Sequence, residues 1–136
     1  MIDKVFFDTA IFIYALEAGL EEAQDILENA IASDSAVTST ITLMEYSTGA
    51  FRRNDKDSLK RFQRFLEDNY IAVTEISRKI ALRAGELRGE HSSLKSMDAL
   101  QLACAIENKC DVFYSNDNRL KRINLPEIEI RTLRTK

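Results

Sequence analysis

Short apolar runs alternate along this chain with longer segments in which apolar residues recur every three or four positions. A short continuous apolar run is typical of a strand inside a parallel sheet, where both faces are buried. Five strands are predicted on this basis, at residues 5–7, 36–39, 71–73, 112–114 and around 128–130. In the last of them isoleucine alternates with glutamate, which indicates one wetter face and a place near an edge of the sheet.

The longer segments predict helices between these strands. They lie near residues 11–16, 23–31, 42–53, 59–66, 80–87 and 99–106. Ser77 is the predicted N-cap of the fifth helix, and Gly85, Gly89 and the polar residues that follow predict a loop near 89–95. Because strands and helices alternate, right-handed crossovers should give a parallel sheet covered on both faces. The sequence therefore predicts an α/β fold, a three-layer α/β/α domain with a central parallel sheet of about five strands, formed by residues 1–136 as one domain.

Composition and charge narrow the class of protein. The chain has 136 residues, of which 45% are hydrophobic and 30% charged, as in one soluble globular domain. Its net charge of −3 gives no general attraction for nucleic acid or anionic membrane, although local patches and a bound metal can reverse so weak a sign. The sequence shows neither the start of a signal peptide nor the roughly 20 apolar residues of a membrane span. We therefore expect a cytoplasmic protein that does not bind membranes.

Histidine and cysteine chemistry has little support in this sequence. The single histidine, His91, lies in the predicted loop, which argues against a histidine-based zinc site or a serine triad. Cys104 and Cys110 lack partners at zinc-site spacing and are expected as reduced thiols in or near the core. The chain also lacks the glycine-rich phosphate loops of Rossmann and P-loop proteins. A phosphoacceptor domain of the response-regulator kind is disfavoured because its acidic and lysine residues would be distributed differently.

Four acidic residues fall where a parallel sheet binds its ligands. In open α/β sheets that place is the carboxyl end of the strands, at the entrances to the following helices. The four residues are Asp8 at the end of the first strand, Glu45 in the first turn of the helix after the second strand, Asp98 in the first turn of the last helix and Asp117 just after the fourth strand. Their carboxylates are therefore expected at one edge of the sheet.

Each of these acids also has a purely structural explanation. Asp8 and Asp117 fit helix N-caps, Glu45 fits a capping box with Thr42, and Asp98 would complement a helix dipole. Caps have no reason to converge, however, whereas four crowded carboxylates repel one another and raise their pKa values. A hard cation would use their oxygens, and Mg²⁺ or Mn²⁺ is the natural occupant of a set that contains only oxygen ligands.

The segments that carry these acids resemble the four motif regions of PIN-domain proteins. They read FFDTAIFIYAL at residues 6–16, TLMEY at 42–46, MDALQLA at 97–103 and YSND at 114–117. The resemblance covers essentially the whole chain and is closest to the VapC-type toxin ribonucleases. It implies a parallel sheet of five strands between helices and an Mg²⁺- or Mn²⁺-dependent endoribonuclease activity, as in the toxin of a type II toxin–antitoxin pair.

The same resemblance implies roles for residues and partners. Asp8 and Asp98 would be the principal metal ligands, and Glu45 and Asp117 would complete the acidic site. Ser115 stands where the family often has threonine, a departure that keeps the hydroxyl group. The implied partners are an RNA substrate, a cognate antitoxin that covers the site, and a second copy of the chain in a homodimer.

The expected mechanism follows from the absence of histidine and lysine in the acidic set, which leaves general acid–base work to metal-bound water. Attack by water on RNA would leave 5′-phosphate and 3′-hydroxyl ends, with Glu45 or Asp117 orienting the water or helping to hold a second metal. The basic residues 119, 121 and 122 are better candidates for phosphate contacts than the basic stretch 52–64, which is equally typical of a solvated helix face. Two other functions fit the same sequence: a catalytically silent PIN-like interaction module, and an RNA-processing nuclease that is not a toxin.

Overall fold

The computed structural model describes residues 2–135 and contains five strands and seven helical segments in that range. The strands are β1 (Val5–Phe7), β2 (Ala36–Ser39), β3 (Ala72–Thr74), β4 (Val112–Ser115) and β5 (Glu129–Thr132). The α-helices are α1 (Thr9–Leu16), α2 (Glu21–Ala32), α3 (Thr40–Arg52), α4 (Lys56–Asp68), α5 (Arg78–Glu90) and α6 (Ser96–Glu107). A short 3₁₀ helix covers Asn118–Arg122.

All five strands are parallel and form one sheet in the order β3-β2-β1-β4-β5. The predicted α/β fold with a five-stranded parallel sheet is confirmed, and β5 lies at an edge as its alternating pattern indicated. In the central strand β1, Phe6 is in register with Val37 of β2 on one side and Phe113 of β4 on the other. Because β1 is where the strand order reverses direction, a crevice for ligands is expected at its carboxyl end.

Successive residues of β1 point to opposite faces of the sheet and anchor two separate cores. Phe6 stacks on Phe113 with ring centroids 5.4 Å apart, in a core shared with α5 and α6. Phe7 stacks on Tyr114 at 6.0 Å, in a second core shared with α1, α2 and α4. The sheet is therefore covered by helices on both faces, which is the predicted three-layer architecture.

The prediction of a glycine-marked loop is wrong in part. Helix α5 continues through Gly85 and Gly89 to Glu90, so the loop is confined to residues 91–95. A helical glycine costs roughly 1 kcal/mol relative to alanine. Burial of an apolar side chain such as Leu87, which is fully buried, contributes about 1.5–3 kcal/mol and outweighs that cost.

Other element bounds differ from the sequence prediction by one to three residues. Helix α3 begins at Thr40, directly after β2, and its N-cap is Ser39, whose Oγ accepts a hydrogen bond from the Ile41 amide at 3.1 Å. Strand β3 begins one residue later than predicted, at Ala72. Ser77 caps α5 as predicted and accepts from the backbone amide three residues on.

The two thiols are free and buried, as expected from the sequence. Burial raises the pKa of Cys104 to about 11 and that of Cys110 to about 12, so both are unreactive thiols at neutral pH. Within residues 2–135, no helix combines the length and the apolar character needed to cross a membrane.

We predict that Gly85→Ala stabilises the protein, because residue 85 lies inside α5 and an added Cβ would meet no atom within 4 Å. The free energy of unfolding should rise by about 0.5–1 kcal/mol in urea denaturation. Gly19→Ala is the matched control and should be destabilising, because Gly19 has a φ of +65°. A Gly85→Ala protein no more stable than the wild type would contradict the helical assignment.

Candidate functional site

Asp8 lies at the carboxyl end of β1 and is the N-cap of α1. Its Oδ1 accepts a hydrogen bond from the amide of Thr9, the first residue of α1, at 2.8 Å. Its Oδ2 accepts from Ser115 Oγ at 3.1 Å, and the same hydroxyl accepts from the Asp117 amide at 3.1 Å. Ser115 thus connects the end of β1 to the loop after β4, and Asp8 does more than cap a helix.

Glu45 lies in the second turn of α3 and not in the first, where the sequence prediction placed it. The predicted capping box is wrong because the helix begins two residues earlier and is capped by Ser39. Thr42 is consequently buried inside the helix, and Glu45 faces α1. There its Oε1 accepts a hydrogen bond from Thr9 Oγ1 at 2.6 Å.

Asp98 lies in the first turn of α6, as predicted. Together with Asp8 and Glu45 it lines a pocket of about 260 Å³, whose other walls include Thr9 and Gln101. We call this pocket the acidic pocket. Three of the four predicted acids, from three different helices or helix entrances, therefore border one pocket at the carboxyl end of the central strands.

Asp117 lies in a neighbouring pocket of about 160 Å³, which it shares with Asp98. It follows β4 and caps the 3₁₀ helix, as one of the sequence interpretations predicted. Its carboxylate also accepts from the Arg119 guanidinium, at 3.0 Å from Nε and 2.8 Å from Nη2. Arg119, predicted as a phosphate contact, is thus paired with Asp117, while Lys95 and Arg122 line the same pocket.

The protein raises the pKa values of Asp8 and Asp98 and lowers that of Asp117. Burial raises the pKa of Asp8 to about 6, against the hydrogen bonds from Thr9 and Ser115, and the charges of Glu45 and Asp98 raise it further. Burial also raises the pKa of Asp98, with an added contribution from the Asp117 charge. Hydrogen bonds from Arg119 lower the pKa of Asp117. The acidic pocket is therefore a place where negative charge is unfavourable, and a cation would be stabilised there.

The side chains suit a hard divalent cation in kind but are not gathered around one point. Within residues 2–135, no three acidic, histidine or cysteine side chains are close enough together to enclose a metal ion. Two of the acids are instead engaged in local contacts: Glu45 is hydrogen-bonded to Thr9, and Asp117 is paired with Arg119. The available donors are carboxylate oxygens, which Mg²⁺ and Mn²⁺ prefer, so the residues present fit such a cation.

A buried polar network lies directly beneath the acidic pocket. Gln101 Nε2 donates to Thr42 Oγ1 at 2.9 Å, and Gln101 Oε1 accepts from the hydroxyl of Ser39. Thr42 Oγ1 also lies 2.9 Å from Thr38 Oγ1 and 3.2 Å from Thr9 Oγ1. Sequence reasoning missed this network, although Gln101 was visible as the one polar residue in the apolar stretch of α6.

Comparison with known proteins identifies the fold. A family model described as PIN domain matches residues 5–125, whereas a search of curated proteins finds no match. A toxin–antitoxin complex from Klebsiella pneumoniae contains a chain that is 29% identical, with a TM-score of 0.72 over 91% of this chain and 94% of that one. VapBC2 from Rickettsia felis, bound to a DNA fragment from their promoter, is 22% identical, with a TM-score of 0.79 over 94% and 97%. VapC20 from Mycobacterium tuberculosis, a toxin that cleaves the sarcin–ricin loop, is 20% identical, with a TM-score of 0.68 over 92% and 98%.

The raised pKa of Asp8 predicts that Asp8→Asn stabilises the protein only at neutral and higher pH. Because the pKa rises from its ordinary value of 3.8 to about 6 on folding, the folded state binds more protons between these values. Stability from this residue is therefore full below about pH 4 and is lost as the pH approaches 6. Asparagine caps helices well and carries no charge. The free energy of unfolding of Asp8→Asn should exceed that of the wild type by about 1–3 kcal/mol at pH 7.5.

The measurement is urea denaturation of both proteins without divalent ions at pH 7.5 and pH 4. Near pH 4 the difference between them should largely disappear, because Asp8 is protonated there in the folded wild type. An equal difference at both pH values would show that the charge of Asp8 is not the cause.

Proposed function

This chain belongs to the PIN domain family, and from that premise we propose that it is a divalent-cation-dependent endoribonuclease. The observation that carries the proposal is the acidic pocket, which Asp8, Glu45 and Asp98 line at the switch point of the sheet. Helix capping alone does not explain it, because Glu45 caps no helix and Asp98 lies where its charge is disfavoured. Family membership and the acidic pocket point to the same chemistry.

Asp8 and Asp98 are the proposed principal ligands of Mg²⁺ or Mn²⁺, and Glu45 and Asp117 complete the site. A cation held there would supply Lewis acidity, lowering the pKa of water and offsetting charge on the phosphate. Asp8 is already fixed by the Thr9 amide and the Ser115 hydroxyl, so little of its conformational freedom is left to lose. The proposed site would hold one cation or two, and the second would require Asp117 to separate from Arg119.

In the proposed reaction water attacks the phosphorus of an RNA phosphodiester and the bond from phosphorus to the 3′ oxygen breaks. The products are a 5′-phosphate and a 3′-hydroxyl, the proton of water ending on the leaving oxygen or in solvent. Glu45 or Asp117 would orient the attacking water, since each carboxylate borders a pocket that contains Asp98. The chain's contribution is position and charge, as expected where phosphodiester chemistry is catalysed by electrostatics.

Lys95 and Arg122 are the proposed contacts for RNA phosphates. Both line the pocket that Asp98 and Asp117 share, so cationic groups lie beside the acids. The net charge of −3 makes such local groups necessary, because the chain as a whole does not attract a polyanion. Arg119 would join them only after separating from Asp117.

The solved structures similar to this chain include toxin–antitoxin complexes, which supports a toxin role and a protein antitoxin as parts of the proposal. A homodimer is proposed from the family resemblance alone. A PIN nuclease that processes RNA without being a toxin, and a silent interaction module, are the alternatives. Cleavage of RNA without growth arrest on expression would favour the first, and absence of cleavage with any divalent ion would favour the second.

The main test is cleavage of RNA by the wild type and by Asp98→Asn, with Mg²⁺ or Mn²⁺ present or chelated. Loss of a principal ligand should lower the rate about a hundredfold or more. Asp34→Asn is the matched control: Asp34 is exposed at the opposite end of the sheet, and asparagine tolerates its φ of 51°. Wild-type cleavage by Asp98→Asn, with divalent ions required, would refute the ligand assignment.

Divalent ions should also stabilise the folded protein, because a cation that binds only the folded state raises the free energy of unfolding. The gain should reach roughly 2.7 kcal/mol when the free ion is at 100 times its dissociation constant. Mn²⁺ should act at lower concentration than Mg²⁺. Thermal unfolding of the wild type and Asp98→Asn across a concentration series measures this, and equal stabilisation of both would mean that Asp98 binds no cation.

A further inference from the structure

Thr9 lies between two acceptors that it cannot serve at once. Its Oγ1 is 2.6 Å from Glu45 Oε1 and 3.2 Å from Thr42 Oγ1. A hydroxyl group carries one proton, and a carboxylate can only accept. The Thr9 proton is therefore donated to Glu45 in this structure, and Thr9 donates no hydrogen bond to Thr42 across the longer contact.

The orientation of the Thr42 hydroxyl follows from its neighbours. Thr38 Oγ1 lies 2.8 Å from the Phe7 carbonyl, which can only accept, so the Thr38 proton is used there. The Thr42 proton then has two hydroxyl neighbours that could accept it, and we assign it to the nearer, Thr38 at 2.9 Å, rather than to Thr9 at 3.2 Å. The Gln101 amide donates to Thr42. A hydroxyl oxygen accepts two hydrogen bonds, so Thr42 keeps one acceptor position, and Thr9 is the neighbour that faces it.

The buried network thus provides Thr9 with a second acceptor, the Thr42 hydroxyl oxygen, which is already within reach. Thr38, Thr42 and Gln101 are each at most 1% exposed, so water does not compete for the open position. Gln101 is itself held by Ser39, which fixes the amide in the orientation that donates to Thr42. If Glu45 turned away, the Thr9 proton would not be left unpaired, and the usual cost of an unsatisfied buried hydroxyl would be avoided.

We propose that Thr9 is a positioning residue that holds Glu45 against α1 in the cation-free protein and transfers its hydrogen bond to Thr42 when Glu45 turns towards a cation in the acidic pocket. The inference rests on the proposed function, because it takes Glu45 to be a ligand of a divalent cation. It accounts for a site whose residues fit such an ion but are not gathered around one point. The strength of the Thr9–Glu45 bond then sets how readily the site takes up its ion.

The proposal predicts that Mn²⁺ affinity rises when the Thr9 hydroxyl is removed, and a purely structural role of Thr9 does not predict this. Thr9→Val removes the hydroxyl while keeping the shape of the side chain, so the cation-free state loses a bond to a carboxylate. The cation-bound state loses only the weaker bond to Thr42. Mn²⁺ should therefore bind more tightly to Thr9→Val than to the wild type, by about two- to tenfold, the worth of one net hydrogen bond.

The experiment is calorimetric titration of Mn²⁺ alone into the full chain at pH 7.5, for the wild type, Thr9→Val, Thr9→Ala and Thr9→Ser. The valine and alanine proteins should bind more tightly, and Thr9→Ser, which keeps the hydroxyl, should match the wild type. In a Glu45→Gln background, Thr9→Val should change the affinity little, because the residue that Thr9 restrains is no longer a carboxylate. Circular dichroism verifies that each variant is folded, and Thr9→Ala supplies the comparison if Thr9→Val is not.

Unchanged or weaker Mn²⁺ binding by both Thr9→Val and Thr9→Ala, with wild-type binding intact, would overturn the role of Thr9 alone. Tighter binding that persists in the Glu45→Gln background would overturn it as well, since the effect would not pass through Glu45. A wild-type protein that binds no Mn²⁺ would overturn both this role and the proposed function. The outcomes are therefore distinguishable.

Discussion

The burial of negative charge at the carboxyl end of β1, with repulsion between neighbouring carboxylates added to it, is the constraint around which this end of the molecule is organised. Asp8 is enclosed by protein and lies within the influence of Glu45 and Asp98, so its charge costs stability. Three of the four carboxylates are stabilised by local contacts: Asp8 by the Thr9 amide and Ser115, Glu45 by the Thr9 hydroxyl, and Asp117 by Arg119.

The fold could be predicted from the sequence because each strand is a short run that suits only a doubly covered position. Phe6 and Phe7 illustrate this, since one packs under α6 and the other under α1, and neither side of β1 meets water. Asp8 and Asp98 were placed correctly because each is tied to an element end that apolar periodicity marks well. Glu45 was predicted at the correct edge of the sheet but in the wrong turn of α3. The start of α3 depends on its N-cap Ser39, which sequence reasoning assigned only to the preceding strand.

The contacts that decide how the acids behave could not be predicted in the same way. Gln101 and Thr42 are 59 residues apart and meet only because α3 and α6 pack over the same end of β2. A threonine in a predicted helix gives no sign of whether it faces water or a buried amide. The continuation of α5 through Gly89 had a related cause, since the low helix propensity of glycine argues for an end there and only tertiary packing decides against it.

The fourth carboxylate, that of Asp117, is held by a local ion pair with Arg119. The two residues are neighbours in one turn, and the Arg119 side chain is 64% exposed, so the pair owes little to the packing of the domain. Water screens the attraction between such exposed groups and can hydrogen-bond to either partner in place of the other. In the proposed site Asp117 could therefore be freed without disturbing either core, whereas Asp8 is buried and bonded both to the first amide of α1 and to Ser115 at the end of β4.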